Sequence, residues 1–145
     1  MSYRLSIAAS ALLLALAAPA AAEDFAAQLD PAPFTATTRA DVIGSIGQVK
    51  GVLSGDTLTV TGTFSRMASP ATGASLRIGL LKGVLGDEIG KLTAQPAPEG
   101  AVSGSVKLTP EQVTALRAER LYVRVDSVKA PDGNLQGWLE PQTKR

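Results

Sequence analysis

The chain has 145 residues, with 14 basic and 13 acidic side chains, no histidine and no cysteine. A length of this order makes one domain with a modest single core, and a net charge near zero removes the clustered positive charge that nucleic acid or an anionic membrane surface requires. Without His or Cys the chain cannot assemble a Ser-His-Asp triad, a thiol nucleophile or an imidazole-based zinc, copper or haem site, so it reads as a non-enzyme with no cofactor.

The first 22 residues read as a cleaved signal peptide: Arg4 gives the positive start, Ile7 to Ala18 the short apolar run, and Ala20-Ala21-Ala22 the small-residue cleavage site. The run falls short of the roughly 20 apolar residues a bilayer demands and ends at Pro19. The expected mature chain is a domain over residues 23–141, followed by a frayed tail over 142–145. It is periplasmic or secreted, with no integral membrane segment after cleavage. With no Cys for a disulfide, the core must hold by packing and strand pairing alone.

Taken in order, the mature chain is a series of strand signals. Phe25 to Leu29 is a short strand-like piece leading into a Pro-interrupted connection, with Phe25 and Phe34 as tethers. Gly44 to Leu53 is a glycine-dotted strand and Ser54-Gly55-Asp56 a turn. Thr57 to Ser65 alternates most clearly, with Leu58, Val60 and Phe64 on one face, four threonines on the other, and Gly62 on the core face, where it marks a bulge or a close approach. Ala74 to Lys82 follows, with Leu76, Ile78 and Leu80 inward and Ser75, Arg77 and Gly79 outward. Gly83 to Gly86 turns the chain, Glu88 to Ala94 returns, and Ala101 to Leu108 alternates weakly. Thr109, Pro110 and Gln112 form a capping box for a short helix that buries Val113 and Leu116.

The last hairpin, Arg120 to Glu140, carries the most information. Leu121, Val123 and Val125 point one way, joined by Leu135, Gly137 and Leu139, and the Pro131-Asp132-Gly133-Asn134 turn lies between the two runs. Tyr122, Arg124 and Asp126, with Gln136 and Trp138, take the opposite face, which Arg77 extends. Arg77, Tyr122, Arg124, Asp126, Gln136 and Trp138 are thus the candidate binding patch, an aromatic and arginine surface of the kind that anchors protein interfaces. The competing expectation is that Trp138 packs under a loop or the short helix. Two further clusters carry less. Ser103, Ser105 and Lys107 are ordinary alternation on an exposed strand, and Asp87-Glu88 and Asp132-Gly133-Asn134 suit turns better than a calcium loop. Strands of eight to ten residues between turn signals, broken by one short helix, predict an all-β antiparallel sandwich, immunoglobulin-like, or a barrel.

The stretches GSIGQVKGVLSGDTLTVTGTF (Gly44 to Phe64), SPATGASLRIG (Ser69 to Gly79), LTPEQVTALRAERLYV (Leu108 to Val123) and APDGNLQGWL (Ala130 to Leu139) together resemble the chordin-type CHRD domain, particularly its short bacterial secreted members. The resemblance covers nearly the whole mature chain. It implies an all-β sandwich or barrel and, by analogy with animal chordins, an extracellular binder; the bacterial members bring no activity with them. Many members carry two His one residue apart on the strand after the SPAT loop and another on the LYV strand. Those places here hold Ser75, Arg77 and Asp126, and an Arg often found before the Gly of the last strand is Gln136. By parity Arg77 and Asp126 share an outer face, where an ion pair would stand in place of the imidazoles. The expected function is an exported binding module for an unknown protein partner. A structural or assembly factor acting by sheet-edge pairing is the alternative, and a superoxide-dismutase-like metalloenzyme, which the missing His disfavours, is a remote third.

Overall fold

The computed structural model describes residues 21–143; the expected leader lies outside them except for Ala21 and Ala22, as do Lys144 and Arg145. The elements are β1 (Glu23–Pro31), α1 (Arg39–Val42), β2 (Ile46–Ser54), β3 (Thr57–Ser65), β4 (Ala71–Ile78), β5 (Asp87–Ala94), β6 (Gly100–Lys107), α2 (Pro110–Arg117), β7 (Leu121–Ser127), β8 (Leu135–Trp138) and β9 (Glu140–Pro141). Hydrogen-bonded neighbours run β2-β3-β6-β5-β4-β7-β8-β1-β9, and β1 returns to pair with β2. The ring closes. The open choice between sandwich and barrel therefore resolves to an eight-stranded antiparallel barrel with one extra strand, and the immunoglobulin-like sandwich is set aside.

Two strands make closure possible by changing partners along their length. β1 pairs with β2 through Glu23 to Leu29 and with β8 through Asp30 and Pro31. β5 pairs with β4 from Asp87 to Leu92 and then with β6 through Thr93 and Ala94, after a register shift opposite Leu76 and Arg77. Such shifts bend a strand, and the bends join what would otherwise be two stacked sheets.

The inward row follows the alternation of the sequence. Phe25, Leu29, Val49, Leu53, Leu58, Val60, Phe64, Leu76, Val102, Leu121, Val123, Val125, Leu135 and Leu139 form one core cluster. Helix α2 covers one end of it. The Thr109 hydroxyl accepts from the Gln112 backbone N–H at 3.2 Å, and the Gln112 side chain accepts from the Thr109 N–H at 3.0 Å, which is the expected capping box. Leu116 is buried as expected, Ala115 is buried with it, and Val113 is only partly covered. At the opposite end Asn134, fully buried, accepts from Ser127 Oγ at 2.7 Å and donates to Ser45 Oγ at 2.9 Å, so the loop before β8 is tied to the loop after α1.

Three local expectations change. β4 ends at Ile78, because Gly79 leaves the ladder to exchange bonds with Arg120: its N–H donates to the Arg120 carbonyl, and its carbonyl accepts from Arg120 Nε. Leu80, expected on the inner row, is 79% exposed. Phe34 is not a tether either, since Ala32 and Val42 already anchor that connection and leave Phe34 outside. The third change is α1, a four-residue turn of helix in that same connection.

Gly62 takes part in a regular register opposite Val49, so it is a close approach and not a bulge. A Cβ there would overlap the Gln48 carbonyl oxygen and come within 2.7 Å of the Val49 Cα. Backbone cannot move aside as a flexible side chain can. Gly62→Ala should lower the free energy of unfolding by about 2 kcal/mol or more in chemical denaturation, as overpacking of a closed core does. Gly73→Ala, which meets open space, is the control, and equal midpoints for the two variants would show that strand approach at Gly62 is not a constraint.

Candidate functional site

The register of β4, β7 and β8 brings the six patch residues onto one outer surface. Arg77 lies opposite Tyr122, and Tyr122 opposite Trp138; one pair along, Ser75 lies opposite Arg124, and Arg124 opposite Gln136; Asp126 faces Gly73. Side-chain parity thus holds across three strands. Accessibility does not follow from it. Tyr122 is 1% exposed, because the segment from Gly79 to Gly86 folds back over the outside of the barrel. Its hydroxyl accepts from the Gly86 N–H at 3.0 Å and donates to the Gly86 carbonyl at 3.1 Å, and Arg77 Nε donates to that same carbonyl. Tyr122 and Arg77 hold this segment in place and do not form a free binding surface. This corrects the expectation for Tyr122.

The expected ion pair is also redistributed. Asp126 pairs with Arg124, its neighbour two residues back, with Nε 2.8 Å from Oδ1 and Nη2 3.3 Å from Oδ2, and not with Arg77. Both side chains are about four-fifths covered. Ser75, at one of the places where the family pattern has His, is buried between β5 and β7 with no hydrogen-bond partner for its hydroxyl among the described residues.

Trp138 is half-buried, with its ring centroid 4.4 Å from that of Tyr122 and the planes tilted by 39°. Tyr122 therefore fixes the orientation of the indole from one side. On the other side Trp138 and Gln136 border a cleft of about 1110 Å³ over the outer faces of β1, β2 and β3. Its floor is a ladder of outward residues: Gln28 lies opposite Gln48, and Gln48 opposite Thr63, while Lys50 lies opposite Thr61. Lys82 and Glu140 close one side, with Lys82 Nζ 2.6 Å from Glu140 Oε1. None of Gln28, Gln48 and Gln136 has a side-chain hydrogen bond to another described residue, so three amides stand with donors and acceptors unused. No local pattern points to this cleft, because the strands that form its floor belong to the first half of the chain and the Trp138 wall to the last hairpin.

Burial raises the Asp126 carboxyl above its ordinary value, outweighing the opposite pull of Arg124 and, more weakly, of Arg77. A folded state that holds this proton to higher pH than the unfolded chain gains most from it at low pH. That contribution fades as the pH rises from the ordinary carboxylate value through the raised one. The free energy of unfolding of the wild type, taken relative to Asp126→Asn, should thus decline as the pH rises above the ordinary carboxylate value. A difference that grows with pH would mean that the Arg124 pair dominates over burial.

The model of the CHRD domain family matches residues 25–139, from the third residue of β1 to the residue before β9. No curated protein and no solved structure matches the chain. The match takes in all eight strands of the closed ring and the cleft wall at Trp138, and on it the chain belongs to the CHRD domain family.

Proposed function

We propose that this CHRD domain is an exported, non-enzymatic binding module, and that a protein partner seats on the cleft beside Trp138. The observation that carries the proposal is a half-buried indole, fixed by its contact with the buried Tyr122 and lining the same cleft as three amides that have no side-chain partner among the described residues. An aromatic anchor held in one orientation loses little freedom on binding, and exposed amides can meet the backbone of an extended segment. The binding surface is thereby narrower than the six-residue patch. Trp138 and Gln136 contribute directly, Arg124 and Asp126 flank them as a neutralised pair, and Arg77 and Tyr122 act from beneath. The absence of His and Cys from the whole sequence supports the non-enzymatic reading. Sheet-edge pairing is less favoured, since β1 is paired on both sides and closes the ring.

Two measurements test the proposal. Trp138→Ala should leave the barrel folded while weakening partner capture by roughly 2 kcal/mol or more, as truncation of an interface anchor does; a large fall in denaturation midpoint with unchanged capture would make Trp138 a structural residue only. Mass spectrometry of the protein recovered from its native compartment should find the N-terminus at Glu23 or within a few residues of it. An intact Met1 on cytoplasmic protein would remove export from the proposal.

A further inference from the structure

Four of the nine exposed large hydrophobic side chains among the described residues lie in one short loop between β4 and β5. Leu80 is 79% exposed, Leu81 66%, Val84 42% and Leu85 51%. The loop is fastened at its neck. Gly79 exchanges two hydrogen bonds with Arg120, Gly86 is held by Tyr122 and Arg77, and the Val84 N–H donates to the Leu81 carbonyl at 3.1 Å. A Cβ at Gly79 would overlap the Val84 carbonyl, and one at Gly86 the Ile78 carbonyl, so the two ends of the loop must pass this close. These are the features of a compact Ω-type loop. A slack loop of such composition would turn its leucines onto the barrel; this one is anchored so that they remain in water.

We propose that the Gly79–Gly86 loop inserts its apolar side chains into the interface of a zwitterionic lipid bilayer. Three observations favour a bilayer over a protein. The four side chains expose on the order of 400 Å², about half of the ~800 Å² per partner that a stable dimer buries, whereas a lipid interface demands no matching shape. The one cation in the loop is already paired: Lys82 Nζ lies 3.4 Å from Glu119 and 2.6 Å from Glu140, so its charge is engaged within the chain, and the other side chains from Leu80 to Leu85 are apolar or glycine. Finally, β1 begins at this same end. Glu23 pairs with Arg117 in the last turn of α2, and Glu119 just beyond that turn holds Lys82, so the charges around the base of the loop are paired with one another and its exposed apolar side chains are left as the projecting feature.

Charge selects the lipid. Around the base of the loop Glu23, Asp87, Glu88, Glu119 and Glu140 stand beside Arg77, Lys82, Arg117 and Arg120, five acidic against four basic groups, so no excess of positive charge draws anionic headgroups and insertion rests on apolar contact.

The full chain has no cysteine, so Leu81→Cys accepts a single environment-sensitive fluorophore, and Ala68→Cys at the opposite end of the barrel serves as the control. Titration with phosphatidylcholine vesicles should shift the emission at position 81 to the blue and leave that at position 68 unchanged. The shift should survive high salt and should not strengthen when anionic lipid is added. Leu80→Ser with Leu85→Ser in the labelled chain should weaken vesicle binding about tenfold or more, as expected for two buried leucines lost. Equal binding by the serine variant would overturn the proposal. It would equally be overturned by an unchanged spectrum at position 81, by an equal shift at position 68, by loss of binding in salt, or by a shift that appears with protein concentration in the absence of lipid. The last outcome would make a second copy of the chain the occupant.

Discussion

The structure depends on the double pairing of β1. Along its first seven residues it forms a regular ladder with β2, and at its far end it crosses to β8, while β9 pairs with Phe25 and Ala26 on the other side. Removing this strand would leave two long edges and open the core to water, since Phe25 and Leu29 are among its most buried side chains. Closure also requires the outer turns of the ring to come very near one another. Gly137 of β8 lies against the Gln28 carbonyl so closely that a Cβ would overlap it. A side chain there would push β8 off β1, and the cleft beside Trp138 would lose its wall.

Outside this ring lies a partial second layer, and its presence explains where reasoning from the sequence holds and where it stops. Alternation predicts the direction of a side chain and does so well: Thr57 to Ser65, the final hairpin and the facing of all six patch residues are as expected, and the capping box at Thr109 is present in detail. Direction does not specify what covers a residue. Tyr122 points outward from the barrel and is nevertheless buried, because the eight residues from Gly79 to Gly86 are folded over it by contacts with Arg77, Arg120 and Tyr122 itself. Leu80 continues the inward parity of β4 on paper, but the strand ends two residues earlier at a pair of glycines whose approach is set by tertiary contact. The importance of β1 is equally hard to read. Its inward row consists of Phe25, two small or medium side chains and little else, so its signal is short even though its pairing is the most consequential in the fold. The network of Ser45, Ser127 and Asn134 joins residues 89 positions apart and has no local pattern at all.

Of the three places where the resemblance to the family would put His, two are occupied here by groups with structural duties. Arg77 holds the Gly86 carbonyl, Asp126 is neutralised by Arg124, and the Ser75 hydroxyl lies buried between strands. Three imidazoles at these positions would share one outer surface of β4 and β7. In this chain the same surface is a support for what lies over it. Arg77 and Tyr122 fix one end of the Gly79–Gly86 loop, and Tyr122 also fixes the Trp138 ring.

Lys82 connects the loop to the cleft. Its ammonium bridges Glu119, at the end of α2, and Glu140, at the start of β9, and its stem lines the cleft that Trp138 borders. Each of these contacts is partly exposed, so each alone adds little to stability. Their value is geometric, because one cation fixes the loop, the helix end and the last strand relative to one another at the rim of the cleft. The hydrogen bond to Glu140 and the charges of both carboxylates favour its protonated form, raising its pKa. The ammonium therefore persists into alkaline conditions, and with it the contacts that hold the rim together. A single tyrosine and a single lysine thus tie the exposed loop to the aromatic wall, and displacement of either would be felt at both surfaces.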